Sequence, residues 1–485
     1  MKKIALFAAL GLSLFFASCS KNSVDPGDIN PPTTTDGNVV TISSDITTNT
    51  TFTADKIYLL KNKVYVTNNA TLTIQAGTII KGDKPTQGTL IITRGAKIEA
   101  VGTVDKPIVF TSNQPVNARK EGDWGGVVLL GKAPNNAGNA ASIEGISDAT
   151  DKAKYGGDVP TDNSGTLKYV RIEYAGIPLG ADNELNGLTF GSVGSGTTID
   201  YVTVYKSGDD AFEWFGGTVN CKHLVAIGTW DDDFDTDFGY SGKIQFAVAQ
   251  RLANTADVSG SNGFESDNNG SGAIINPRTA PVFANVTILG PREAAPGTSG
   301  LPSVNANYQH AAQIRRYSAM SLINSVIVGY TQGVFYDDTQ PATGGNSSGA
   351  LLDGTSVFTN NLVLGSNATS QQIKASNAGT LATITAFLTP NNVFDGNIYA
   401  GAIYAAPYKF GADLASGLRA GTPDFKQVAG SIALTGATKT DAKIADSFFE
   451  KVDYRGAFDG TTDWTQSWVS FNPQSLPYTT PGAVK

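Results

Sequence analysis

The chain is short of the residues that most often carry chemistry. Its 485 residues include 2 Cys, 2 His and 2 Met, and Asp, Glu, Lys and Arg together make up 16%. Two cysteines exclude a disulfide scaffold, and two histidines cannot build a conventional zinc site. After the N-terminal apolar run there is no second long one, which excludes a polytopic membrane protein. With 43 acids against 35 bases and a formal charge of −8, nothing here attracts nucleic acid. What is abundant is glycine, 54 residues, with Thr, Asn, Ser, Val and Ile, a composition of short strands and turns. The 23 Phe, 17 Tyr and 5 Trp spread along the chain exclude a disordered polymer.

The N-terminus reads as an address. Met1-Lys2-Lys3 is basic, Ile4 to Ala17 is apolar and too short to span a bilayer comfortably, and Phe16-Ala17-Ser18-Cys19 comes next. This ending resembles the bacterial lipobox, which implies cleavage after residue 18, acylation of Cys19 and, with Ser20 next, outer-membrane lipid as the partner. Residues 19–38 are polar and Pro-rich and are expected to form a flexible tether. Cys221, left without a partner, is expected to be a buried thiol.

Residues 39–447 read as an irregular repeat. Segments such as LTIQAGTIIKGD, TLIITRGAKIEAVGT and KPIVFTSN alternate apolar and polar residues over four to six positions and then bend. Gly187-Leu-Thr-Phe190, Ala211-Phe-Glu-Trp214, Asp233-Phe-Asp-Thr236 and Gly263-Phe-Glu-Ser266 recur at intervals of 24, 22 and 30 residues, a solenoid's spacing. These segments, with Gly122-Asp123-Trp124-Gly125-Gly126 among them, resemble the rungs of pectate-lyase-like right-handed parallel β-helices. The expected fold is all-β, a right-handed parallel β-helix with long loop insertions at 291–311 and 338–349. A short helix is expected within 366–390, and residues 448–485, with Trp464 and Trp468, are read as an aromatic C-terminal cap, sugar stacking being the alternative for the two Trp.

Acids concentrate between 209 and 267. If Phe234 and Phe238 point inward, then Asp233, Asp235 and Asp237 face outward, and in-register rungs place Glu213, Asp235 and Glu265 in one row and Asp237 and Asp267 in a second. Arg315 is expected to continue the first row, with Arg316 beside it. Two charges 5 Å apart repel by about 3 kcal/mol at an effective dielectric of 20, so the patch must hold protons, pair with arginine or bind a hard cation. Oxygen ligands alone suit Ca²⁺, with Glu213, Asp235, Asp237, Glu265 and Asp267 as its candidate ligands. Glu213, Trp214, Asp233 and Arg316 are the candidate ligand-binding residues. Asp209, Asp210, Asp231 and Asp232 are read as turn caps.

Two enzyme patterns bear on these residues. The pectate-lyase resemblance implies carboxylate-held Ca²⁺ with an arginine base, which makes Arg315 and Asp235 catalytic candidates. The polygalacturonase pattern is met by Gly208-Asp209-Asp210, but Asp235-Thr236-Asp237 comes after it and Gly-His-Gly is absent. His310, placed in a loop before the Arg pair, is kept as a general-base candidate beside its reading as a surface histidine. As a set, GDWGGVVLLG, GDDAFEWFGGTVN, DDDFDTDFGYSGKIQF, GFESDNN, IRR, YRGAF and WTQSW resemble a β-helix lipoprotein family of Gram-negative outer membranes. That resemblance implies a fold and a location and no reaction. The expected function is binding of an extended ligand, polysaccharide by analogy, at a Ca²⁺-dependent acidic groove. A polysaccharide lyase or hydrolase at the same groove and an adhesive spacer are the alternatives, and an outer-membrane transporter complex is a further candidate partner.

Overall fold

The computed structural model describes residues 33–146, 150–180, 183–340, 346–366, 368, 371–410 and 421–485. The signal peptide, Cys19 and the first part of the tether lie outside the described residues. The tether's end is not featureless: Thr33–Asp36 pairs antiparallel with Val39–Ile42.

The body is a right-handed parallel β-helix. One wall is a ten-stranded sheet whose strands succeed one another in chain order. They are β1 (Lys63–Val66), β2 (Thr89–Ile92), β3 (Gly126–Leu130), β4 (Leu188–Val193), β5 (Phe212–Gly217), β6 (Phe234–Asp237), β7 (Phe264–Ser266), β8 (His310–Arg315), β9 (Gln332–Asp337) and β10 (Ile373–Ala375). Every adjacent pair is parallel. The remaining walls form a twenty-stranded sheet. It bends at a column of left-handed residues, Tyr201, His223, Phe246, Asn285, Asn324 and Asn360, all with φ between 53° and 59° except His223 at 50°. Asparagine tolerates that conformation, and Asn324 also exchanges two 2.8 Å hydrogen bonds with the Thr438 backbone.

Register is set by the inward aromatics. Leu188, Phe212, Phe234 and Phe264 are paired partners on successive rungs, and all are fully buried. The three rings form a column inside the solenoid, with Phe212–Phe234 centroids 5.8 Å apart and Phe234–Phe264 5.5 Å apart. A one-residue slip would turn every aromatic outward, so the pleat locks the stacking.

On the outer face of the ten-stranded sheet the early rungs are apolar. Ile91, Val128 and Leu130 pack under Ile143, Ile146, Tyr155, Ile177 and Leu185 from the segments between β3 and β4. From β4 onward the outward residues become Thr189, Glu213, Asp235 and Glu265. The cover over the apolar rungs thus adjoins the start of the acidic strip.

The C-terminal segment does not close the open end as expected. The last coil strand is Val393–Asp395, well before residue 447, and the chain beyond it runs back along the outside of the larger sheet. Phe449 packs on Ala284 and Ile323, Trp468 meets Tyr169 and Tyr201 edge-on, and Tyr478 and Val484 reach Ile57, Ile79 and Val109. Lateral packing wins because the larger sheet's outer face is itself apolar and needs cover. At the C-terminal end the expected helix is present as α1 (Ala378–Leu388), whose Ile384 and Leu388 are buried in the main core. Cys221 is fully buried and burial pushes its thiol up.

Candidate acidic binding site

The first row is continuous: Thr189, Glu213, Asp235, Glu265 and Gln313 are register partners across β4 to β8. Two residues further along each strand lies a second row. It holds Phe215 and Asp237, then Arg315 and Asp337. Arg315 therefore stands one row over from its expected place, because Phe264 pairs with Ala312, two residues after His310.

A second set of acids lines the turn before the strands. The Asp210 Oδ1 accepts the Asp232 N–H at 2.7 Å, Asp232 accepts the Asn262 N–H, and Asn262 Oδ1 accepts the His310 N–H at 3.0 Å. Asp210 and Asp232 thus do cap turns, each across to the next rung. A neutral amide serves that purpose at 262, so capping alone does not explain carboxylates at 210 and 232.

Asp210 also belongs to the strip. One oxygen from each of Asp210, Glu213 and Asp235 lies within 4.8 Å of the others, and Asp209, Asp210 and Asp231 form a second such trio. Asn186, 2% exposed, donates its side-chain amide to Glu213, while its own Oδ1 has no partner. The Asp235 and Asp231 Oδ1 atoms are likewise buried and unpartnered. Asn186 and Asp210 were not among the expected ligands.

Basic partners are distributed unevenly. Asp267 is held by Arg315 at 2.8 Å and by Arg316 at 2.6 Å, and Glu265 by Arg315. Among the described residues, Asp209, Asp210, Glu213, Asp231, Asp232, Asp235 and Asp237 form no salt bridge. Burial first, and neighbouring carboxylates second, hold Asp209, Asp210, Glu213 and Asp235 well above the usual carboxylate range. Burial and Asp267 do the same to Asp237. Asp231 is pushed up to about 7, and Asp232 and Glu265 to about 8, by burial foremost. Such a cluster either retains protons or binds a cation whose charge replaces them.

Four expectations are corrected. Trp214 is fully buried, stacked on Phe190 and Tyr240 at 5.3 and 5.4 Å, because it shares the inward face with Phe212 two residues earlier; it touches no ligand there. Asp233 precedes β6 in the turn, where alternation no longer applies, and is buried against Arg251 at 3.0 Å and Thr229 at 3.1 Å. Phe238, past the end of β6 with φ of 49°, packs outward beside Phe215. His310 is not in a loop: it opens β8, 4% exposed, with Lys374 Nζ 3.3 Å from its Nε2. Burial and that ammonium push it down to about 4.

The arrangement offers oxygen ligands for a hard cation such as Ca²⁺, which takes six to eight of them. It does not favour Arg315 as a base: burial alone would ease loss of its proton, but Glu265, Asp267 and the other acids around it together outweigh burial and hold the guanidinium above its ordinary value. Trp468 is fully buried, and the Trp464 indole donates to Ala457 O at 2.8 Å, so both serve packing. Among the described residues no helix is long and apolar enough to cross a membrane.

No curated protein matches the chain. Among solved structures, the Dettilon tailspike protein is similar at 10% identity with a TM-score of 0.24; the match covers 68% of this chain and 62% of the tailspike's length. A family model described as a pectate-lyase-like β-helix domain matches residues 44–401, most of the coil. The chain belongs to that pectate-lyase-like β-helix domain family.

Proposed function

We propose that the acidic strip of the ten-stranded sheet is a Ca²⁺-assisted binding surface for an extended polysaccharide. The observation that carries this reading is the convergence of Asp210, Glu213 and Asp235 within 4.8 Å, with no salt bridge to them among the described residues, beside unpartnered oxygens of Asn186 and Asp235. Glu265, Asp237 and Asp267 flank this centre; Asp267, already held by two arginines, helps anchor Arg315 and Arg316 at its rim. The polysaccharide is inferred from the long, parallel face of the family's fold. Cys19, acylated, would tether the domain to the outer membrane, and the terminal sequence supports that location. Palmitate labelling of the native chain, lost in a Cys19→Ser variant, checks the anchor separately.

The test of the site is a thermal melt of the full chain at pH 7.5 with excess Ca²⁺ or chelator. Ca²⁺ is expected to raise the melting temperature by a few degrees, since a ligand at a hundredfold its Kd adds about 2.7 kcal/mol. Asp235→Asn should abolish the Ca²⁺ response while leaving the chelated protein at least as stable, because it removes a repelled charge. A wild-type melting temperature indifferent to Ca²⁺ would contradict the proposal.

A further inference from the structure

One tryptophan beside this strip stands open to solvent. Trp230 is 40% exposed, whereas Trp124, Trp214 and Trp468 are fully buried. Its backbone is fixed: the N–H donates to Ser207 O at 3.0 Å, and the carbonyl accepts from Ser261 Oγ at 2.6 Å and from the Asp257 N–H at 3.1 Å. Counting back from the Phe212–Phe234 and Phe234–Phe264 pairs, the positions in register with Trp230 on the two neighbouring rungs are Gly208 and Gly260. Neither of these two positions carries a side chain that could lie against the indole. The loop bonded to its carbonyl presents a second apolar group, Val258, 90% exposed. The same loop places Ser259 Oγ on the Asp231 carboxylate at 2.8 Å, and the other Asp231 oxygen has no partner.

We propose that Trp230, with Val258 and the Asp231 carboxylate, is a stacking subsite for a neutral sugar ring. The chemistry matches on both sides. A pyranose offers an apolar C–H face to a fixed indole and a rim of hydroxyls to the exposed pair of Ser259 Oγ and Asp231 Oδ2. Asp209, Asp231 and Asp232 around it form no salt bridge among the described residues, so a polyanion such as a uronate chain finds no paired cation in these acids and opposes their ionisation, whereas an uncharged glycan does not. Two exposed apolar side chains are too small a patch for a stable protein interface, which buries about 800 Å² on each partner. The inference rests on reading this face as a polysaccharide surface, and names the ligand's charge class; it does not require the cation.

Trp230 can be followed directly, because Trp124, Trp214 and Trp468 are buried and shielded from a neutral quencher and Trp464 is half-buried. Acrylamide quenching of the full-length protein, with Trp230→Phe identifying the accessible fraction, is measured against glucan, mannan and galactan oligosaccharides and against oligogalacturonate. At least one neutral oligosaccharide is expected to protect Trp230, oligogalacturonate is not, and Trp230→Ala is expected to weaken the neutral glycan's binding on the order of tenfold with the Ca²⁺ melting shift intact. Absence of protection by every neutral oligosaccharide, stronger protection by oligogalacturonate, or sugar-free protection that grows with protein concentration would each overturn it, the last assigning the patch to a protein contact. Protection by a neutral glycan in a protein whose melting temperature ignores Ca²⁺ would uphold this subsite while the cation reading fails.

Discussion

Arg251→Met is expected to lower the unfolding free energy by about 3–5 kcal/mol, measured by urea denaturation. The guanidinium is buried, 1% exposed, and its bonds run to several turns at once. It holds Asp233 at 3.0 Å, Thr229 O at 2.8 Å and the Tyr330 hydroxyl at 3.1 Å, and also the carbonyls of Asp231 and Asn262. Methionine fills much of the volume but leaves Asp233 as a buried, unpaired carboxylate and strips donors from those carbonyls. Burial already pushes Asp233 up to about 6 with the arginine present, so without it the side chain must take a proton or draw in water. Arg251→Met with Asp233→Leu removes the orphaned charge and should recover part of the loss. A single-variant loss below about 1 kcal/mol would show that the pair is not the staple described.

In calcium-free buffer, the melting temperature is expected to fall as pH rises from about 5 to 8. Unfolded Asp and Glu titrate near 4, whereas in the folded chain Asp231 titrates at about 7 and Asp232 and Glu265 at about 8. Between those limits the folded protein binds more protons than the unfolded one, so stability is greatest at the acid end and is lost as pH climbs through the folded values. His310, pushed down to about 4, opposes this below its ordinary value near 6.5, as one group against several. Added Ca²⁺ should flatten the dependence by replacing the protons. Melts across the range check it, and a melting temperature that rises steadily from pH 5 to 8 without Ca²⁺ would contradict the assigned carboxylate environments.

The solenoid's register was legible because each rung repeats a local pattern. An inward Phe at 212, 234 and 264 sets the phase, and counting from it brings Glu213, Asp235 and Glu265 side by side. The same counting misplaced Arg315 where the marker weakens, since β8 presents Ala312 in place of an aromatic. Trp214 could have been read as inward from Phe212, two residues earlier. The turn column was equally available: Asn186, Asp210, Asp232 and Asn262 each stand two residues before a Leu or Phe anchor. What no local pattern could show is the burial of Asp233 by Arg251 and the lateral run of the C-terminus. The latter depends on Arg119 and Arg171, which hold Pro473 O at 2.9 Å and the Tyr478 hydroxyl at 2.8 Å, partners hundreds of residues away along the chain.

Proton release on cation binding addresses the acidic strip most directly. Ca²⁺ is titrated calorimetrically into the full-length protein at pH 7 in buffers of different ionisation enthalpy, so that the protons liberated per ion are counted. Carboxylates that share protons in the folded state should yield binding of Ca²⁺ with net proton release, sharply reduced in Asp235→Asn. Saturating heat without proton release, or no heat in any buffer, would mean that Asp210, Glu213 and Asp235 are not the place where charge is exchanged.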